Sequence, residues 1–151
     1  VSTQGRYGLR ALVELALNES SGAIPLREVS KRQNISERYL EQLFAKLRKA
    51  GIVRSIRGAH GGYQLNHEPE DITVGDIIKT LEGAIAPVDC AICNEEEKEK
   101  CDRMDECVTH EVWEQIRNTV DDLIESITLA DLKERSEELN QRKNRGIMYY
   151  I

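Results

Sequence analysis

Apolar residues recur at helical spacing through most of the first half of the chain. In "GRYGLRALVELALN", Leu9, Leu12, Val13, Ala16 and Leu17 share one face, which predicts an amphipathic helix over about residues 5–18. Turn formers in "NESSGAIP" end it. "PLREVSKRQ" then puts Pro25 at a helix start, with Leu26 and Val29 on the buried side. After a break at Asn34, "ISERYLEQLFAKLRKAG" sets Leu40, Leu43, Phe44 and Leu47 at i, i+3, i+4 and i+7. Ser36 suits the N-cap there, Glu37 the first turn and Gly51 the stop. The period then changes. "GIVRSIRGAHGGYQLNH" reads as strand, glycine-rich turn, strand, with Ile52, Ile56, Tyr63 and Leu65 as strand formers and Gly58, Gly61 and Gly62 at the tip. "ITVGDIIKTLEG" returns to helix, with Thr73 as N-cap, Asp76 in the first turn, Ile77, Ile78 and Leu81 buried, and Gly83 at the stop. Further on, Trp113, Ile116, Val120, Leu123 and Ile127 advance by threes and fours, the pattern of a coiled-coil seam.

Two short helices with a tight turn and a polar second helix make a helix-turn-helix candidate. The outer face of the second helix carries Arg38, Gln42, Ala45 and Lys49, flanked by Glu41 and Lys46. In a major groove Gln42 suits adenine, Arg38 suits guanine and Glu41 suits cytosine. Charged outer faces are common on ordinary helices, so the hairpin that follows carries the reading. A β-hairpin directly after such a helix is a wing, with Arg57 at its tip beside Gly58 and His60, suited to a narrow minor groove. The glycine run is not a phosphate loop, because no Lys-Ser/Thr and no helix start follow it. The fold class expected is therefore mainly α with a small β-hairpin wing: a winged helix-turn-helix domain plus a long dimerisation helix. The seam could pack on its own domain. Self-association is favoured, because a two-fold dimer would hold two recognition helices one DNA turn, ~34 Å, apart.

Charge agrees with a division of labour. The net charge is −6 over 151 residues, yet residues 1–67 hold 11 Lys and Arg against 5 Asp and Glu, while residues 68–151 hold 10 against 22. A basic first half suits a polyanion partner. The expected organisation is a DNA-binding domain with connecting helix over 1–83, a metal-binding loop over 84–110, a dimerisation region over 111–139 and a tail over 140–151. No apolar run approaches the ~18 residues that span a bilayer, and no signal peptide is evident, so a cytoplasmic location is expected. No acid–base constellation or cofactor pocket speaks for an enzyme, redox enzymes included.

All four cysteines lie in "PVDCAICNEEEKEKCDRMDECVTHEVW": Cys90, Cys93, Cys101 and Cys107, with His110 one turn past the last. Reduced cytoplasmic thiols clustered this way more often hold metal than form disulfides. Cys107 and His110 stand at i, i+3 on one helical face, and a helix start near Cys107 favours its thiolate. Three thiolates and one imidazole complete a four-donor site. Spacing alone suits tetrahedral zinc and an iron–sulfur cluster equally. A regulatory disulfide would leave His110 without a role.

"STQGRYGLRAL", "SERYLEQLFAKLRKAGIVRSIRGAHGGYQL" and "ITVGDIIKTLEG" resemble the IscR-type family of winged-helix transcription regulators, including its CymR and NsrR relatives. The resemblance spans nearly the whole chain. It implies a homodimer reading a palindromic double-stranded DNA operator. By position, Ser36, Arg38, Glu41, Gln42 and the wing's Arg57 become base readers, with Lys46 on the same helix and Arg6 and Tyr7 near phosphates. Arg38 replaces a smaller residue of the enterobacterial members, so their operator sequence does not transfer. The resemblance also implies a 2Fe–2S cluster held through Cys–x5–Cys–x2–His, here Cys101, Cys107 and His110. Cys90 and Cys93 compete for the remaining position, and Cys90, after "PVD", aligns with the ligand. The implied function is control of cluster-biogenesis or related genes according to cluster status. Two alternatives stand beside it: a structural-zinc winged-helix interaction protein, and a cysteine-metabolism repressor. Relatives of the latter kind lack these ligands and act with a cysteine synthase partner, which would dock on the tail "RGIMYYI" ending at Ile151.

Overall fold

Ser2 starts the first helix of the computed structural model, which describes residues 1–91, 103 and 105–149. Its hydroxyl accepts from the Gln4 amide at 3.2 Å, capping α1 (Thr3–Leu17). Helix α2 (Leu26–Gln33) follows Pro25, and α3 (Glu37–Lys49) follows Ser36, whose hydroxyl accepts from the Tyr39 amide at 3.4 Å. Between them Asn34 turns the chain at φ 52°, a left-handed conformation that asparagine tolerates better than most residues. The Ser30 hydroxyl donates to the Ile35 carbonyl at 2.6 Å and the Arg10 guanidinium to the Gln33 carbonyl at 2.6 Å, which ties the turn to α1 and α2.

The wing is an antiparallel pair, β1 (Val53–Ile56) with β2 (Gly62–Leu65), Val53 opposite Leu65 and Ile56 opposite Gly62. Ile24 extends it as an isolated bridge, exchanging two backbone bonds of 2.9 Å with Tyr63. The Phe44 and Tyr63 rings meet edge-on at 5.0 Å, so β2 is fastened to α3 through aromatic packing. Leu12, Val29, Leu40, Leu43, Phe44, Leu47, Val53 and Ile77 are essentially inaccessible and form the core under α1–α4. Full burial of such side chains contributes roughly 1.5–3 kcal/mol each.

Helix α4 (Val74–Glu82) opens with a reciprocal cap, Thr73 amide to Asp76 carboxylate and Asp76 amide to Thr73 hydroxyl, both 3.0 Å. It packs closely on α1. A Cβ at Gly8 would lie 2.1 Å from Leu81 Cδ1, and the Glu82 carboxylate accepts from the Ser2 amide and hydroxyl and from the Gly5 amide.

The stretch expected to run as one seam is two helices, α5 (Val108–Ser126) and α6 (Leu129–Tyr149). Ile127 is extended at the break, where Val74 N donates to Ile127 O at 2.8 Å and Leu129 N to Ile72 O at 2.9 Å. Thr128 and Asp131 then repeat the reciprocal cap, with bonds of 2.9 and 3.2 Å. The seam residues consequently divide. Val120 and Ile127 pack with Ile124 against Val74 and Ile78, whereas Ile116 and Leu123 are 41% and 59% exposed. Helix α6 anchors Leu129 in the main core and continues to Tyr149, through residues expected to be tail. Among the described residues no helix is long and apolar enough to cross a membrane.

Candidate functional site

Helix α3 buries one face and presents the other. Arg38, Glu41, Gln42 and Lys46 are all exposed. Within the described residues Arg38, Glu41 and Gln42 make no hydrogen bond or ion pair, so their polar groups remain available to a partner. Ser36 uses a lone pair to cap α3 and keeps its O–H to donate outward. Lys46 Nζ donates to Gln4 Oε1 at 2.7 Å, which joins α3 to the first turn of α1. On that turn the Tyr7 ring meets Tyr39 edge-on at 5.9 Å, with the Arg6 and Arg10 guanidinium carbons 5.9 and 5.4 Å from the Tyr7 centroid. An open groove of about 490 Å³ runs between the two helices, lined in part by Thr3, Tyr7, Ser36, Arg38, Tyr39 and Gln42.

The wing carries Arg57, Gly58 and His60 on its exposed tip, Gly58 at φ 112°. Arg57, like Arg38, has no partner among the described residues. Recognition-helix side chains, wing tip and the start of α1 thus belong to one rigid unit, held by Phe44–Tyr63 and by Tyr7–Tyr39. Sequence reasoning missed Tyr39, Gln4 and Thr3. Their signal was faint: Tyr39 sits at the edge of the apolar stripe of α3, and the other two precede the first apolar residue of α1.

The second constellation lies at the head of α5. Cys107 is its N-cap residue, in extended backbone, and its Sγ lies 3.1 Å from the Thr109 hydroxyl. That hydroxyl, followed by the His110 and Thr109 amides and the charge of Arg103, draws the thiol pKa below its usual range, so the thiolate is favoured. His110 begins the next turn, its amide donating to the Cys107 carbonyl at 3.1 Å. Its Nδ1 is buried with no hydrogen-bond partner among the described residues. Cys90 is a half-buried free thiol in the 3₁₀ turn Asp89–Ala91, and Cys107 is also free. Cys93 and Cys101 lie outside the described residues. Among those described, no three His, Cys, Asp or Glu side chains gather as a metal site, so the full donor set is not assembled there. The chemistry of the donors fits a metal group nonetheless. An unclaimed imidazole nitrogen and a thiol biased toward thiolate stand one turn apart, and both are groups that borderline and soft metals select.

Comparison with known proteins adds to this geometry. The family model described as "Rrf2: Iron-dependent Transcriptional regulator" matches residues 1–135. The HTH-type transcriptional regulator CymR of Bacillus subtilis (strain 168) is 42% identical over 151 residues, 100% of this chain and 99% of the relative. The HTH-type transcriptional regulator IscR of Pectobacterium atrosepticum is 37% identical over 140 residues, 93% of this chain and 82% of the relative. The solved structure of T. potens IscR superposes with a TM-score of 0.75 at 43% identity, over 92% of this chain and 89% of that one. The relatives are named as regulators, not as enzymes.

Proposed function

The chain belongs to the Rrf2 family of transcriptional regulators, and from that premise we propose a homodimer whose choice of operators follows the occupancy of a 2Fe–2S cluster. Helix α3 enters the major groove with Ser36, Arg38, Glu41 and Gln42. The wing tip, with Arg57, Gly58 and His60, tracks the minor groove, and Arg6, Tyr7 and Lys46 meet phosphates. The exposed stripe Val108, Val112, Ile116 and Leu123 on α5 supports the dimer, since these residues fall within an arc of about 80° at ~100° per residue.

Cys101, Cys107 and His110, with Cys90, would hold the cluster. When bound, it supplies an iron- and sulfide-dependent, oxidant-sensitive centre. His110 must offer a neutral nitrogen, so acid competes with the metal for it. The observation that carries the reading is the buried, unclaimed Nδ1 of His110 one turn from Cys107. Occupancy would order the loop against α5 and bias the paired winged domains, coupling metal supply to cluster-biogenesis or related genes. Anaerobic reconstitution tests it. The expected product absorbs in the visible, carries about one cluster per chain, and leaves operator footprints different from those of metal-free protein. A colourless chain holding only zinc would overturn the cluster and favour the structural-zinc alternative.

A second reading is a cysteine-metabolism regulator that acts with a cysteine synthase through its C-terminal tail. The full-length match to CymR favours it. Pull-down of cysteine synthase by the whole chain and by a chain lacking the last four residues decides this, and equal recovery removes the tail's role.

A further inference from the structure

Arg117 is the only cation of α5, a helix that carries Glu111, Glu114, Asp121, Asp122 and Glu125. Such a residue in an acidic helix would be expected to pair with a carboxylate. Instead its Nη1 donates to the Ala91 carbonyl at 2.7 Å and its Nη2 to Asn118 Oδ1 at 2.8 Å. Ala91 is 2% exposed and closes the turn whose central residue is Cys90, its amide donating to Val88 O at 3.1 Å. The guanidinium therefore fastens the Cys90 turn to α5.

Position along the helix gives the fastening a purpose. His110 and Arg117 are seven residues apart, so at ~100° per residue they share a face to within about 20°. Long side chains on a helix lean toward its N-terminus, so Arg117 reaches back in the direction of His110. Nothing among the described residues occupies His110 Nδ1 on that side.

We propose that Arg117 is a positioning residue for the metal site: it seats the Cys90 turn on the His110 face of α5, so that Cys90, rather than Cys93, joins Cys101, Cys107 and His110. This rests on the cluster reading above and names its fourth donor. Arg117 itself touches no metal. It acts through the Ala91 carbonyl, as supporting residues commonly orient ligands.

The test uses full-length wild type, R117A, R117K, C90S, C93S and R117A/C90S, each reconstituted anaerobically with iron and sulfide. Iron per chain, the visible spectrum and the rate of cluster loss to a chelator are measured, with the melting temperature of each metal-free chain as control for folding. R117A should lose its cluster about ten-fold faster than wild type without a change in metal-free melting. R117K should fall between them, since an ammonium can still donate to the carbonyl. C90S should load poorly and C93S like wild type, and R117A/C90S should be no worse than C90S, because both changes remove one contribution. Wild-type retention by R117A, or loss in C93S with loading intact in C90S, overturns the proposal and leaves the cluster reading standing. A wild type that takes up no iron overturns both. If R117A melts early, R117K must still lose cluster faster than wild type for the assignment to hold.

Discussion

Single residues decide how closely the elements can approach. Gly62 has φ 147°, and a Cβ there would sit 2.3 Å from the Ile24 carbonyl oxygen. That oxygen belongs to the backbone and accepts from Tyr63, so it cannot move aside cheaply. Gly62→Ala should cost about 1–3 kcal/mol and lower the urea midpoint, while loosening the wing. Gly146 meets nothing within 4 Å in α6, so Gly146→Ala serves as the control and should be neutral or stabilising by roughly 0.5–1 kcal/mol. Glu82 makes a pH prediction. Burial pushes its carboxyl upward, but hydrogen bonds from the Ser2 hydroxyl and from the Gly5 and Ser2 amides prevail and hold it below the usual carboxylate range. A folded pKa below the unfolded one means that the stabilisation is complete above the unfolded value of about 4.3 and is lost as pH falls through the lower folded value. Glu82→Gln should therefore flatten the acid limb of stability between those two values, measured as urea midpoint against pH.

At the scale of elements, the same capping chemistry appears twice. "TVGD" and "TLAD" each begin a helix with a Thr that caps an Asp three residues on. The first was legible because turn formers precede it. The second was hidden by apolar residues that step by three and four straight through the break, so periodicity favoured one long helix. Thr128→Ala should cost about 1 kcal/mol and speed hydrogen exchange at the Asp131 amide, with the first turn of α6 fraying. Helix α3 makes a different prediction. Gln42→Ala should lose about 1–3 kcal/mol of discrimination at one base pair. Lys46→Ala should weaken all sequences alike and reduce the salt slope by about one. Binding titrations over a panel of operator variants and salt concentrations separate the two outcomes.

For the whole molecule, the division of charge between a basic winged domain and an acidic remainder becomes a division of faces on α5. One side of that helix packs on α4 through Val120 and Ile124, with Lys79 bonded to Glu125 at 2.9 Å, while the stripe with Ile116 and Leu123 faces out. Ile116→Glu combined with Leu123→Glu should give a monomer by light scattering, with an unchanged far-ultraviolet circular dichroism spectrum. Operator affinity should fall steeply, because each half-site is then bound separately. A double variant that remains dimeric with its affinity intact would rule this face out as the interface.

Sequence by itself determined what depends on near neighbours along the chain. The caps at Ser36 and Thr73, the stops at Gly51 and Gly83, the change of period at the wing and the choice of donors around Cys107 and His110 all follow from local backbone and side-chain chemistry. Only the tertiary structure decided what depends on residues remote in sequence: the break at Ile127 against Ile72 and Val74, the approach of Gly62 to Ile24, the Tyr7–Tyr39 pair, and the reach of Arg117 to Ala91. The reason is physical. An apolar period says that a face will be covered, but the covering surface is set by packing among elements that the chain brings together only on folding.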